Sequence, residues 1–239
     1  ISVADIGDAD TVGVSGATSL TAANQLTFTG TTYKANQQTY AAAAGANLLV
    51  NGGATTTFTA SDDAIAFNTA NLLLANGSNL VVTSGGGAIT ALAIRGTSSE
   101  DVTLTSTGGT TNTVSVGAIG AVDEIETVAI SGSAGITLNG NITTADTATN
   151  TVTLTGPVTL GAAVTIDTNN ATNDGAISFA TAASTINGAQ ALVLDAGGAD
   201  VTVAGTIGGT TGLTSLTASG NNISVADIGD ADTVGVSGA

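Results

Sequence analysis

Residues 1–17 read ISVADIGDADTVGVSGA, and residues 223–239 read the same without one substitution, an offset of 222 residues. Identity over that length does not arise by chance in so short a chain. It defines a long repeat: 1–222 is one unit, and 223–239 opens the next. The parent polypeptide is therefore expected to be longer. A repeat constrains the fold before any single residue does. Repeated supersecondary units stack on copies of themselves, and that leaves few architectures open.

Inside the long repeat runs a shorter one. Triplets of apolar, middle and apolar residues recur: Leu26-Thr27-Phe28, Leu48-Leu49-Val50, Leu80-Val81-Val82, Val102-Thr103-Leu104, Ile136-Thr137-Leu138, Val158-Thr159-Leu160, Ile177-Ser178-Phe179, Val201-Thr202-Val203 and Ile223-Ser224-Val225. Alternation with a period of two puts both apolar residues on one face of a strand. The starts lie 22, 32, 22, 34, 22, 19, 24 and 22 residues apart, so the common spacing is about 22. The two long gaps leave room for an insertion or a less regular turn. The middle residue is Thr or Ser in seven of the nine triplets, which predicts a hydroxyl rank along one outer face, interrupted by Leu49 and Val81. Gly, Asn and Ser cluster between the triplets, where sharp corners need them.

These features predict an all-β chain folded as a parallel β-helix, or β-solenoid, with coils of about 22 residues. Roughly ten coils at ~4.8 Å per coil make a unit about 50 Å long. The alternative is a string of immunoglobulin-like β-sandwiches, which also have short strands at regular spacing. No core Trp or Cys pair marks such a domain here, and the 22-residue register favours the solenoid. No segment reads as a helix. Ala41–Ala44 reads as a corner or a small-residue strand.

Composition narrows the function. The chain carries 2 basic and 18 acidic residues, a formal charge of −16, and Lys34 and Arg95 are its only basic side chains. A nucleic-acid partner is excluded, because phosphate binding needs cations. Attraction to anionic lipid is excluded for the same reason, and no apolar run is long enough for a membrane-spanning helix. Aromatics are only 3% of the chain, which fits a narrow core of Val, Ile and Leu. His and Cys are absent. Nucleophile–base pairs built on them are therefore out of reach, and the chain is not expected to be an enzyme.

Two stretches carry a resemblance: LTFTGTTYKANQQTYAAAAGANLLVNG (26–52) and INGAQALVLDAGGADVTVAGTIGGTTGLTSLTASG (186–220). Their wording is similar to that of giant bacterial surface proteins of the filamentous-haemagglutinin type. That resemblance implies a right-handed β-helical rod, secretion across an outer membrane, and a place outside the bacterial cell or on its surface. It implies a structural fibre or stalk, or an adhesin that binds a glycan or a partner-cell protein through the rod surface. The partner expected in either case is the chain itself, continued end to end or assembled laterally.

Candidate sites are few. Asp5, Asp8 and Asp10 form an acidic cluster repeated as Asp227, Asp230 and Asp232. Calcium takes six to eight oxygen ligands, and grouped carboxylates supply several. The spacing matches neither the EF-hand loop nor the nonapeptide calcium repeat, so a solvated turn is the plainer reading. A calcium-assembled surface layer is a further alternative on the same residues. Asp62-Asp63, Glu100-Asp101 and Asp123-Glu124 with Glu126 are other acidic groups in loop-like positions. Tyr33 and Tyr40 flank Lys34 in TTYKANQQTY. They read either as an exposed adhesive patch or, by preference, as a ring that caps the core.

Overall fold

The computed structural model describes residues 1–8, 13–75, 77–97, 99–109, 111–232 and 234–238. Strands account for half of them. The first two turns contain β1 (Ser2–Val3), β2 (Val14–Ala22), β3 (Leu26–Phe28) and the long β4 (Thr32–Ala42). The next three contain β5 (Asn47–Val50), β6 (Thr56–Ala60), β7 (Ile65–Asn68), β8 (Asn71–Leu74), β9 (Leu80–Ser84), β10 (Ile89–Ala91), β11 (Ile94–Arg95), β12 (Asp101–Ser106) and β13 (Thr113–Val116). Then follow β14 (Thr127–Gly132), β15 (Gly135–Leu138), β16 (Ile142–Thr143), β17 (Thr151–Thr155), β18 (Val158–Leu160), β19 (Val164–Asp167), β20 (Ala176–Phe179) and β21 (Ile186–Asn187). The last turns hold β22 (Ala191–Asp195), β23 (Val201–Ile207), β24 (Ser215–Ser219) and β25 (Ile223–Ile228).

Each turn visits three faces in the same order. Face I stacks β1, β3, β5, β8 and β11, then Ile119, then β16, β19, β22 and β24. Face II stacks the start of β4 with β6, β9, β12, β14, β17, β20 and the starts of β23 and β25. Face III stacks the ends of β2 and β4 with β7, β10, β13, β15, β18, β21 and the ends of β23 and β25. The strands of each face are parallel, and the chain is a β-solenoid of about nine turns, roughly 24 residues apart. Faces II and III join into one sheet because β4 and β23 run across the corner between them.

Period-two alternation drives this arrangement. In β12 the residues Val102, Leu104 and Ser106 point inward while Asp101, Thr103 and Thr105 point outward, and most strands repeat that pattern. Stacking turns the alternation into ladders. On face I the inward ladder runs Leu26, Leu48, Leu72, Ile94, Ile119, Ile142, Ile166 and Leu194. On face III it runs Ile65, Ile89, Val114, Ile136, Val158, Ile186 and Ile207. Every one of these side chains is fully or almost fully buried. The β-branched majority suits the pleated surface, where a single favoured rotamer loses little entropy on stacking.

The nine triplets prove to lie on three faces, not one. Leu26 and Leu48 start triplets on face I, Leu80 and Val102 on face II, Ile136 and Val158 on face III, and Ile177, Val201 and Ile223 on face II. The step of 32 residues from Leu48 to Leu80 is one turn plus one face, and so is the step of 34 from Val102 to Ile136. Neither gap holds an insertion. The step of 19 from Val158 to Ile177 is one turn less one face.

Candidate functional site

Aromatic rings lie inside the solenoid. Phe28, Tyr33, Tyr40, Phe58 and Phe67 pack as one cluster in the second and third turns, with Tyr33 stacked on Phe58 at 4.7 Å between centroids. Tyr33 and Tyr40 are both fully buried, so TTYKANQQTY is not an adhesive patch of exposed tyrosines. Both rings, not one, enter the core. Burial pushes the Tyr33 hydroxyl up to about 12 and raises Tyr40 further. The Tyr33 hydroxyl lies 2.7 Å from the carbonyl of Ala4 and 3.0 Å from that of Val3, and it accepts the Gly30 N–H at 3.0 Å. Tyr40 donates to Oε1 of buried Gln38 at 2.9 Å, and Gln38 Nε2 donates to the Thr59 carbonyl at 2.7 Å. The polar tips of the cluster are thereby satisfied, as burial demands.

The carboxylates serve the stacking. Asp146 Oδ1 accepts the backbone and side-chain N–H groups of Asn173 at 2.8 and 3.0 Å, one turn along. Asp195 accepts the Ser219 hydroxyl at 2.6 Å, and Asp200 accepts both the backbone and side-chain N–H of Asn222 at 3.1 and 2.9 Å. Each of these bonds favours the ionised form and holds its carboxyl below the usual aspartate range. The backbone bond from Asn173 dominates at Asp146, the Ser219 hydroxyl at Asp195 and the Asn222 side chain at Asp200. Asp174 accepts from Asn170 and Gly198, and Asp101 from Asn79 and Thr127. Buried Glu100 turns inward and accepts from Thr97 and Ser99 in its own corner.

The repeated acidic cluster is distributed as follows. Asp5 Oδ1 accepts the N–H groups of Thr31 and Thr32 at 2.8 and 2.9 Å, which caps a corner of the next turn. Asp8 is exposed, and Asp10 lies outside the described residues. In the second copy Asp227, in β25, pairs with Thr206 of β23, while Asp230 accepts the Asp232 N–H at 2.9 Å. Among the described residues no three carboxylates gather where they could hold a metal ion.

The outer surface of face II is richer in hydroxyls than one rank. One outward ladder runs Thr57, Val81, Thr103, Ala129, Thr153, Ser178 and Thr202, and a second runs Thr59, Thr83, Thr105, Ser131 and Thr155. Leu49, expected to interrupt the rank, stands on face I. The second ladder lies outside the triplets, so their middle residues alone do not reveal it. At the opposite corner a shallow groove of about 560 Å³ is lined by Asn68, Thr90, Leu92, Ser115 and Asn139, and Leu92 is exposed there. No exposed ring borders it; Phe67 beside it is 2% exposed. None of the described residues lies in a helix long and apolar enough to cross a membrane.

The chain matches no protein-family model, no curated protein and no solved structure.

Proposed function

We propose that this chain is a mechanical element: a segment of a rigid rod that extends a very large bacterial surface protein away from the cell. The observation that carries the reading is the unbroken stack of parallel turns combined with a 17-residue identity at an offset of 222. A solenoid lengthens simply by adding turns, and each added turn buries the apolar edge of the last. The surface chemistry suits that task. Its net charge of −16 makes neighbouring rods repel. With two basic residues the chain offers trypsin-like proteases few cleavage sites, and without Cys, Met or Trp it offers oxidants few targets.

Catalysis has no place in this reading. Asp146, Asp195 and Asp200 are engaged in corner hydrogen bonds between turns, the role a stacked rod asks of them. The resemblance to filamentous-haemagglutinin-type proteins points the same way, toward an extracellular fibre. The test is gold-labelled antibody against residues 1–222 on intact producing cells, viewed by electron microscopy. Label standing off the outer surface supports the reading; label confined to the cytoplasm refutes it. Glycan and host-protein arrays probed with the isolated chain separate a bare stalk from an adhesive one. The stalk reading expects no retention.

A further inference from the structure

The two copies of ISVADIGDADTVGVSGA share a glycine turn among their described residues but sit on different faces. Gly7 and Gly229 share the same left-handed backbone, with φ of 77° and 75°. A Cβ on Gly13 would lie 2.2 Å from the Gly7 nitrogen, and one on Gly235 would lie 2.2 Å from the Gly229 nitrogen. The turn at Gly7 and its approach to Gly13 therefore recur at Gly229 and Gly235. The stacking is not. In the first copy Ser2 and Val3 pair with Thr27 and Phe28 on face I, and Ile6 pairs with Tyr33 on face II. In the second copy Ile223 and Val225 pair with Val201 and Val203 on face II, and Ile228 pairs with Ile207 on face III. The second copy stands one face further round.

The copies also display opposite edges of one coil. The second copy shows what lies beneath the segment, namely β23. The first shows what lies above it, namely β3 and β4. On the second copy the upper edge is uncovered: Ile223 is 47% exposed and Ile228 55%, whereas Ile207 below Ile228 is 0% exposed.

Resting on the rod reading, the geometry points to a specific occupant for that edge and a specific phase. The occupant is a second copy of the repeat, the stretch equivalent to residues 26–42. Its Leu26-Thr27-Phe28 counterpart stacks on Ile223-Ser224-Val225, and its Tyr33 counterpart stacks on Ile228. Since that coil is already turned by one face, every following strand of the second unit is turned with it. The repeat is then about nine and one third turns: 222 residues at roughly 24 per turn. Each unit advances ~45 Å and rotates by a third of a revolution, at ~4.8 Å per turn. Equivalent surface features of three successive units face three directions, and a feature present once per unit is displayed all round the rod.

The experiment uses the full chain extended by one unit, residues 1–239 followed directly by residues 18–239. The chain has no Cys, so introduced thiols are unambiguous. Two double variants pair Ser224→Cys or Thr202→Cys, one at a time, with Thr27→Cys in the second unit. A third pairs Thr217→Cys with the same second-unit change. All are outward positions on strands, and far-UV circular dichroism checks that the fold is kept. Under the proposal the Ser224 pair meets at one-turn spacing on face II. It oxidises at least ~10-fold faster than the Thr217 pair, which lies round the corner beyond disulfide reach. The Thr202 pair, two turns apart, yields only to a short thiol cross-linker. A fast Thr217 pair would mean that the units align face to face, which overturns the phase but leaves the rod intact. No cross-link in any pair, with two separate bodies in electron micrographs, overturns the occupant and the rod reading together. As a check free of substitutions, a density map of the two-unit chain places the second aromatic cluster one face round from the first.

Discussion

Phe58→Ala is the most informative single perturbation of the core. The ring is 0% exposed and touches four others: Phe28 at 5.0 Å, Tyr33 at 4.7 Å, Phe67 at 5.1 Å and Tyr40 at 5.6 Å between centroids. Truncating a buried Phe costs about 3–5 kcal/mol from lost transfer and the cavity left behind. Aromatic pairs of this geometry add ~0.5–1.5 kcal/mol each beyond burial, so a loss of at least about 5 kcal/mol is expected. Neighbouring turns hold one another, so the loss falls chiefly on the turns that surround the ring. The chain supplies its own probe. Tyr33 and Tyr40 are its only tyrosines, it has no Trp, and both tyrosines sit in the cluster. Near-ultraviolet dichroism in the tyrosine band therefore reports on the first turns, and far-ultraviolet dichroism reports on the whole rod. In urea the variant should lose the tyrosine signal well before the sheet signal. Coincident transitions with a loss under about 1 kcal/mol would refute both the packing of the cluster and the local sharing of stability.

Acid should loosen the corners. Asp146, Asp195 and Asp200 have folded pKa values below the aspartate range, so their contribution is fully present above the unfolded value of about 3.9. It is lost as pH falls through the folded values, and calorimetry should find the melting temperature flat near neutrality and falling below pH ~4. Asp200→Asn should flatten part of that fall. Spectrophotometric titration should detect no phenolate through the ordinary tyrosine range near 10; ionisation should begin only near 12, to which burial raises Tyr33, or on unfolding. Calcium should leave the melting temperature unmoved and evolve no binding heat, because Asp5 is engaged with Thr31 and Thr32. A stoichiometric heat lost on Asp8→Asn would reverse that reading.

The sequence carries the class of fold plainly and its phase poorly. Alternation in stretches such as Val102-Thr103-Leu104 predicts strands with one inward face, and those residues are strands with that face inward. The triplet bears no mark of which side of the rod it occupies. Leu48-Leu49-Val50 on face I and Leu80-Val81-Val82 on face II are chemically alike. Only the count of residues through corners of unequal length separates them, and that count is visible once the ladders are. The tyrosines were obscured by their neighbours. Lys34, Gln37 and Gln38 make TTYKANQQTY look like surface, yet Gln38 itself is buried, satisfied by Tyr40 and by carbonyls of the core strands. The signal was the alternation Thr32-Tyr33-Lys34-Ala35, which β4 obeys. The carboxylate–asparagine side-chain bonds between turns join residues 21 to 27 apart, such as Asp200 to Asn221 and Asp146 to Asn173, and only the register brings such residues together.

Small-angle X-ray scattering of the one-unit and two-unit chains tests the central claim most directly. A continuous solenoid predicts an unchanged cross-section and a longest dimension greater by ~45 Å, the rise of about nine and one third turns. Two bodies joined by a flexible segment, with a broadened cross-section and no fixed increment in length, would contradict it.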